Sequence, residues 1–137
     1  MNKNTSHINI RVRYAETDKM GFVYYGNYAT YYEVARVEWL RERGYSYKVM
    51  EDEGIMLPVV HFSIDYKRPA FYDELLTIEI ELVEEPANKL VFRQQVMNEK
   101  GKVLNTSKVV LVGVNAETMK PIRFPEAMAK AIYFPGK

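Results

Sequence analysis

The chain of 137 residues contains no cysteine. Disulfides, thiolate-ligated zinc and iron–sulfur clusters are therefore excluded, because each needs cysteine sulfur. Histidine is scarce as well: His7 and His61 are the only two, too far apart for the close ligand pairs of a histidine-based zinc site. No apolar run approaches the ~20 residues that span a bilayer, and the opening residues hold no hydrophobic stretch like that of a secretion signal. Neither GxGxxG nor GxxxxGK[ST] occurs, so no motif supports a dinucleotide or P-loop site. A net charge of +1 gives no general attraction to nucleic acid, whose partners present a basic face. The expectation is a cytoplasmic protein with no metal, no cofactor, no nucleic-acid partner and no membrane span.

What is present is an ordinary globular balance, 47% hydrophobic and 27% charged. The length suits a single domain over 1–137. Tyrosine is over-represented, with 11 copies, and Tyr24, Tyr25, Tyr28, Tyr31 and Tyr32 fall close together.

The periodicity predicts a strand over 7–14, where Ile8, Ile10, Val12 and Tyr14 alternate with polar residues. A structured loop follows over 15–26. Asn27 is the expected N-cap of a long helix over 28–43, and Gly44 its terminator. That helix is apolar around most of its circumference, more than a surface helix needs. A short helix over 46–53 ends at Gly54. Strands are expected over 56–66, 76–82, 90–97 and 103–114, and a last helix over 126–132. The run 109–112 reads as covered on both faces. Hairpin-joined strands pair antiparallel, so the order implies an α+β fold with one sheet curved around one helix. One helix cannot cover both faces of a five-stranded sheet, which points to a homo-oligomer.

The informative stretch is YAETDKMGFVYYGNY, residues 14–28, which leads into the long helix. A helix N-terminus carries free N–H groups and partial positive charge, which can polarise a carbonyl oxygen. A nearby carboxylate, Asp18, could act on that carbonyl as nucleophile or base. Taken alone, a loop aspartate serves turns and caps as readily as catalysis. Glu16 reads as a solvated charge at the strand end, the tyrosines as core, and His61 as a hydrogen-bonded strand residue. Ser63 has no GxSxG context and no partners for a triad.

Arg11-Val12-Arg13-Tyr14, Thr17-Asp18, Gly21-Phe22-Val23-Tyr24 and Asn27-Tyr28 together resemble the signature of the 4-hydroxybenzoyl-CoA thioesterase family. The likeness continues through Glu33, Ala35-Arg36 and Leu40, then Tyr66-Lys67-Arg68-Pro69-Ala70 and Tyr72-Asp73-Glu74-Leu75, covering about residues 8–132. The resemblance implies a hotdog fold, a five-stranded antiparallel sheet wrapped around one long central helix. It implies hydrolysis of an acyl-CoA thioester, with Asp18 as the catalytic carboxylate and the Tyr25 backbone N–H on the thioester oxygen. An aspartate side chain ordinarily ionises near pH ~3.9, so it is charged at neutral pH. Several bacterial relatives carry histidine where this chain has Tyr25, which keeps the N–H and removes an imidazole.

The same resemblance implies substrate contacts from Tyr24, Asn27 and Tyr28. It matches Pro58 and Val59 to a segment lining the thioester site, and Asn88 and Lys89 to a turn that meets the CoA nucleotide. Lys67, Arg68 and Lys89 are basic turn residues suited to phosphate or simply solvated. The partners implied are an acyl-CoA and further copies of the chain, a dimer at least and a tetramer by preference. An acyl-carrier-protein thioesterase and a non-catalytic acyl-CoA-binding module are the alternatives.

Overall fold

The computed structural model describes residues 3–135. Five strands form one antiparallel sheet: β1 (Thr5–Arg11), β3 (Val59–Tyr66), β4 (Leu75–Leu82), β5 (Lys89–Met97) and β6 (Val103–Val112), in the order β1-β4-β5-β6-β3. β2 (Ile55–Met56) and β7 (Val114–Asn115) make a separate short pair. The helices are α1 (Asn27–Glu42), α2 (Tyr47–Asp52) and α3 (Glu126–Ile132). No helix among the described residues is long and apolar enough to cross a membrane.

The sheet packs against one side of α1, whereas Ala29, Thr30, Glu33 and Val34 on the other side are exposed, so the helix is less enclosed than its apolar circumference predicts. Tyr31, Tyr32, Ala35, Trp39 and Leu40 are buried on it, against Leu76, Ile78, Ile80, Leu90 and Phe92 of the sheet. Trp39 meets Phe92 edge to face at 5.1 Å, and its indole N–H donates to the Asn4 carbonyl at 2.9 Å. The aromatic pairing adds to the burial because ring edges are attracted to ring faces. Gly44 ends α1 in the left-handed region at φ 85°. The Tyr45 N–H then folds back to the Leu40 carbonyl at 3.0 Å, the bond pattern a C-terminal glycine permits.

The structure corrects several expectations. The strand expected over 56–66 is two strands with different partners. Pro58 has no N–H, so the ladder breaks there, and β2 pairs with β7 while β3 pairs with β6. The strand expected over 103–114 breaks at Gly113, where a Cβ would come within 2.6 Å of the Phe124 ring. The run 109–112 is covered on one face only. Val109 and Leu111 are buried, whereas Val110 and Val112 are half-buried on an outer face shared with Lys108, Arg93 and Glu79. Exposed apolar surface lies instead on the edge strand β3, at Val59, Val60 and Phe62. His61, on that strand, is exposed and makes no side-chain hydrogen bond among the described residues.

Candidate active site

Asp18 sits in a tight turn between β1 and α1. Its N–H donates to the Phe22 carbonyl at 3.0 Å, and its carbonyl accepts from the Gly21 N–H at 2.9 Å. A bridge between Thr17 and Val23 closes the turn one step further out. Gly21 has φ 89°, a conformation that disfavours any side chain. The Asp18 side chain is fixed from one side: Oδ1 accepts from the Met20 N–H at 2.9 Å. Oδ2 has no protein donor among the described residues, and Asp18 is half-buried in a cavity wall.

Glu16, two residues earlier, frames this turn and is not the solvated charge expected. It is buried. Its carboxylate accepts from the Arg13 backbone N–H at 2.9 Å, from Arg13 Nε and Nη2 at 3.0 and 2.7 Å, and from the Tyr31 hydroxyl at 2.8 Å. Burial alone would raise the Glu16 carboxyl; the bonds from Arg13 and Tyr31 outweigh it and hold the group below its ordinary range. The Glu16 carbonyl accepts from the Tyr24 N–H at 2.9 Å and from Asn27 Nδ2 at 2.8 Å. Asn27 is thus the first residue of α1 and not its N-cap, a position taken by Gly26. Its side chain ties the helix start to the loop.

The cavity at this turn has a volume of about 400 Å³, and its walls include Asp18, Tyr25, Tyr28, Tyr66, Lys67 and Arg68. Tyr66 packs against Tyr28 at 5.9 Å and Tyr25 at 6.5 Å between ring centres. Burial pushes the Tyr28 hydroxyl up to about 12, although it accepts a bond from the Ala70 backbone. The hydroxyl therefore stays neutral at neutral pH. Tyr24 packs tilted against Tyr25 at 4.7 Å between ring centres; a hydrogen bond with Tyr25 holds its hydroxyl above the ordinary value. The Tyr25 N–H, which precedes α1, donates to no acceptor among the described residues. A free N–H and a carboxylate oxygen with one open side therefore share one pocket. The aromatic cluster divides: Tyr31 and Tyr32 belong to the core, Tyr25 and Tyr28 to the cavity.

The remaining sequence-derived residues lie elsewhere in the chain. Pro58 lines a cavity with Met50, Met56 and Met119, and Val59 lines a groove beside α1. Asn88 and Lys89 are exposed at the start of β5, where the Asn88 carbonyl accepts from the Gly113 N–H at 3.1 Å. None of the four borders the Asp18 cavity within one chain. Tyr66 is a cavity residue that sequence reasoning does not assign to the site. Its place before the Lys67-Arg68-Pro69 turn is the available signal, a strand end where sites form.

Residues 12–132 match the family described as the thioesterase-like superfamily. The chain is similar to YneP of Bacillus subtilis, with 36% identity over 118 residues, 86% of each protein. It is similar to acyl-CoA thioester hydrolase YbgC of Escherichia coli, with 34% identity over 119 residues, 87% of this chain and 89% of that one. Among solved structures, the DHNA-CoA thioesterase from Staphylococcus aureus aligns with a TM-score of 0.88 at 37% identity, covering 93% of this chain and 87% of its own. The five-stranded antiparallel sheet packed on one long helix is the hotdog architecture, and the chain belongs to the thioesterase-like superfamily.

Proposed function

We propose that the protein hydrolyses acyl-CoA thioesters to a free carboxylic acid and CoA, with Asp18 as the reacting carboxylate. The observation that carries this reading is the shared pocket of the free Tyr25 N–H and the half-anchored Asp18 carboxylate. The N–H polarises the thioester oxygen and stabilises the negative charge that gathers there as the carbonyl becomes tetrahedral. Asp18 either adds to the carbonyl carbon or takes a proton from a water that adds to it. In the first route the thiolate leaves, and water then hydrolyses the mixed anhydride and returns the carboxylate. In the second the proton held by Asp18 passes to the departing thiolate. Tyr28 lines the pocket, Tyr24 packs on the pocket residue Tyr25, and Asn27 ties the helix start to the Glu16 carbonyl. Lys67 and Arg68 bring positive charge to its wall, where the phosphates of CoA find partners.

The substrate enters a cytoplasmic homo-oligomer, a dimer at least. The support is the edge strand β3, whose Val59, Val60 and Phe62 are exposed and whose outer backbone groups have no ladder partner among the described residues. A bare apolar edge is a template for another chain. Such an assembly would carry Pro58, Val59, Asn88 and Lys89 of one copy toward the pocket of another.

Asp18→Asn preserves shape and removes both the nucleophile and the base. It should keep the fold and lower kcat/KM by at least about 100-fold. Parental turnover of a panel of acyl-CoAs by the pure variant would overturn the assignment. Comparing one acyl group carried by CoA and by acyl-carrier protein separates the two substrate classes, and thiol release separates hydrolysis from mere binding.

A further inference from the structure

The main-chain carbonyl of Glu16 takes two donors from the far end of the Asp18 loop. The Tyr24 N–H reaches it at 2.9 Å and Asn27 Nδ2 at 2.8 Å. Glu16 stands two residues before Asp18, while Tyr24 and Asn27 flank Tyr25. One peptide oxygen therefore joins the segment that carries the carboxylate to the segment that carries the free N–H. Asn27 also closes the turn around Tyr25, because its backbone N–H donates to the Tyr24 carbonyl at 2.9 Å. The Tyr24 carbonyl and the Tyr25 N–H belong to one planar trans peptide, so they point in opposite directions. A bond that holds the carbonyl inside the turn directs the N–H out of it. Asn27 donates two of these three hydrogen bonds. Its residue type is not explained by the helix alone. Asparagine forms helix less readily than alanine, and its common service at a helix start is to cap. Here Gly26 holds the cap position, and the half-buried Asn27 side chain is directed at the loop.

We infer that Asn27 is a positioning residue for thioester hydrolysis, holding the Tyr25 N–H in register with the Asp18 carboxylate, in place of the substrate contact that the resemblance implies. The inference rests on the hydrolytic reading of the site. As the carbonyl becomes tetrahedral, the N–H must meet its oxygen while the carboxylate, or a water beside it, meets its carbon. Both groups must keep their places together, and a displacement of about 1 Å costs on the order of 100-fold in rate. The Glu16 carbonyl is the shared anchor, and the Asn27 amide is the bond to it that comes from the helix. Binding of the intact thioester draws on the cavity wall with Lys67 and Arg68, to which Asn27 makes no side-chain hydrogen bond among the described residues. Loss of the amide therefore falls on the transition state and spares the ground state, the signature of a change in kcat rather than in KM.

Steady-state kinetics of Asn27→Ala and Asn27→Asp on one acyl-CoA tests it. Alanine removes the donor; aspartate keeps the size and sets an oxygen against the Glu16 carbonyl. Each variant should lower kcat at least about tenfold and leave KM within about threefold of the parent. Adding Asn27→Ala to Tyr25→Pro should lower kcat no further than Tyr25→Pro alone, because the N–H that Asn27 orients is already gone. A residue that serves only the fold would lower the melting temperature and leave kcat at temperatures well below it unchanged. If Asn27→Ala proves unfolded by circular dichroism, Asn27→Asp must show the kcat loss by itself, and that loss must vanish in the Tyr25→Pro background. Parental kcat, a raised KM with kcat intact, or full additivity in the double variant would each overturn the inference. An inactive Asp18→Asn beside a fully active Asn27→Ala removes this inference alone, whereas parental turnover by Asp18→Asn removes the hydrolytic reading as well.

Discussion

The Tyr31 hydroxyl donates to Glu16 Oε1 at 2.8 Å, fastening the Asp18 turn to the second turn of α1. Removing one partner of a buried hydrogen bond to a charged group leaves the other unsatisfied. Glu16→Gln should cost about 2–3 kcal/mol in unfolding free energy and Tyr31→Phe about 1–2 kcal/mol, measured by denaturant titration. Glu16 is held below its ordinary range when folded. Its contribution is therefore present above the unfolded value of ~4.3 and is lost as pH falls through the folded value. The stability gap between wild type and Glu16→Gln should accordingly shrink on acidification; a gap constant from pH 7 to pH 3 would contradict this account.

In the proposed mechanism Tyr25 acts through its backbone N–H. Tyr25→Phe should leave kcat/KM within about threefold of the parent, because the N–H is unchanged. Tyr25→Pro removes the N–H, and should lower kcat by about 100-fold, the scale of one lost oxyanion donor. Steady-state kinetics on the two variants checks the split, and equal losses in both would assign the role to the phenol ring instead.

Gly21 permits the turn that presents Asp18. The space around its Cα is open, so only its φ of 89° opposes a side chain. Gly21→Ala should cost about 1–2 kcal/mol of stability and lower kcat more than it raises KM. Gly21→Asn should do less harm, because asparagine tolerates this conformation. The ordering of the two variants in melting temperature and kcat is the check.

Burial raises the hydroxyl pKa of Tyr28 to about 12 and moves Tyr31 and Tyr32 upward for the same first reason. An unfolded tyrosine ionises near ~10. The stability these groups contribute is complete below that pH and is lost as pH rises through the folded values. Unfolding midpoints should hold level from pH 7 to 9 and then fall. A midpoint unchanged at pH 11.5 would refute this.

Legibility in the sequence follows the range of the interactions. Gly44 and the alternation in β4 depend on neighbours a few residues away, and the strand pattern of Leu76, Ile78 and Ile80 is found intact in the core. Asp18 stands out from a local run. Glu16 reads wrongly as a solvated charge because one of its hydrogen bonds comes from Tyr31, fifteen residues on, and nothing near it in sequence shows that contact. The breaks at Pro58 and Gly113 are hidden for the same reason: hydrophobicity continues through both, while β2 and β7 choose each other over the main sheet. Tyr66 enters the cavity wall through rings on α1 and its loop that no spacing rule connects to it. The apolar run of β6 reads as covered on both faces, yet only one face is, and the exposed apolar residues lie on β3, since a strand's position in the sheet order is a property of topology.

The frame that holds Asp18 is written within a short piece of chain, residues 13–31, whereas Val59, Val60 and Phe62 on β3 face outward from a single copy. The two can therefore drift apart under selection. Substitutions along the exposed part of β3 leave the hydrogen bonds of the carboxylate turn untouched. The outer strand is therefore free to vary while the turn that presents Asp18 keeps its shape.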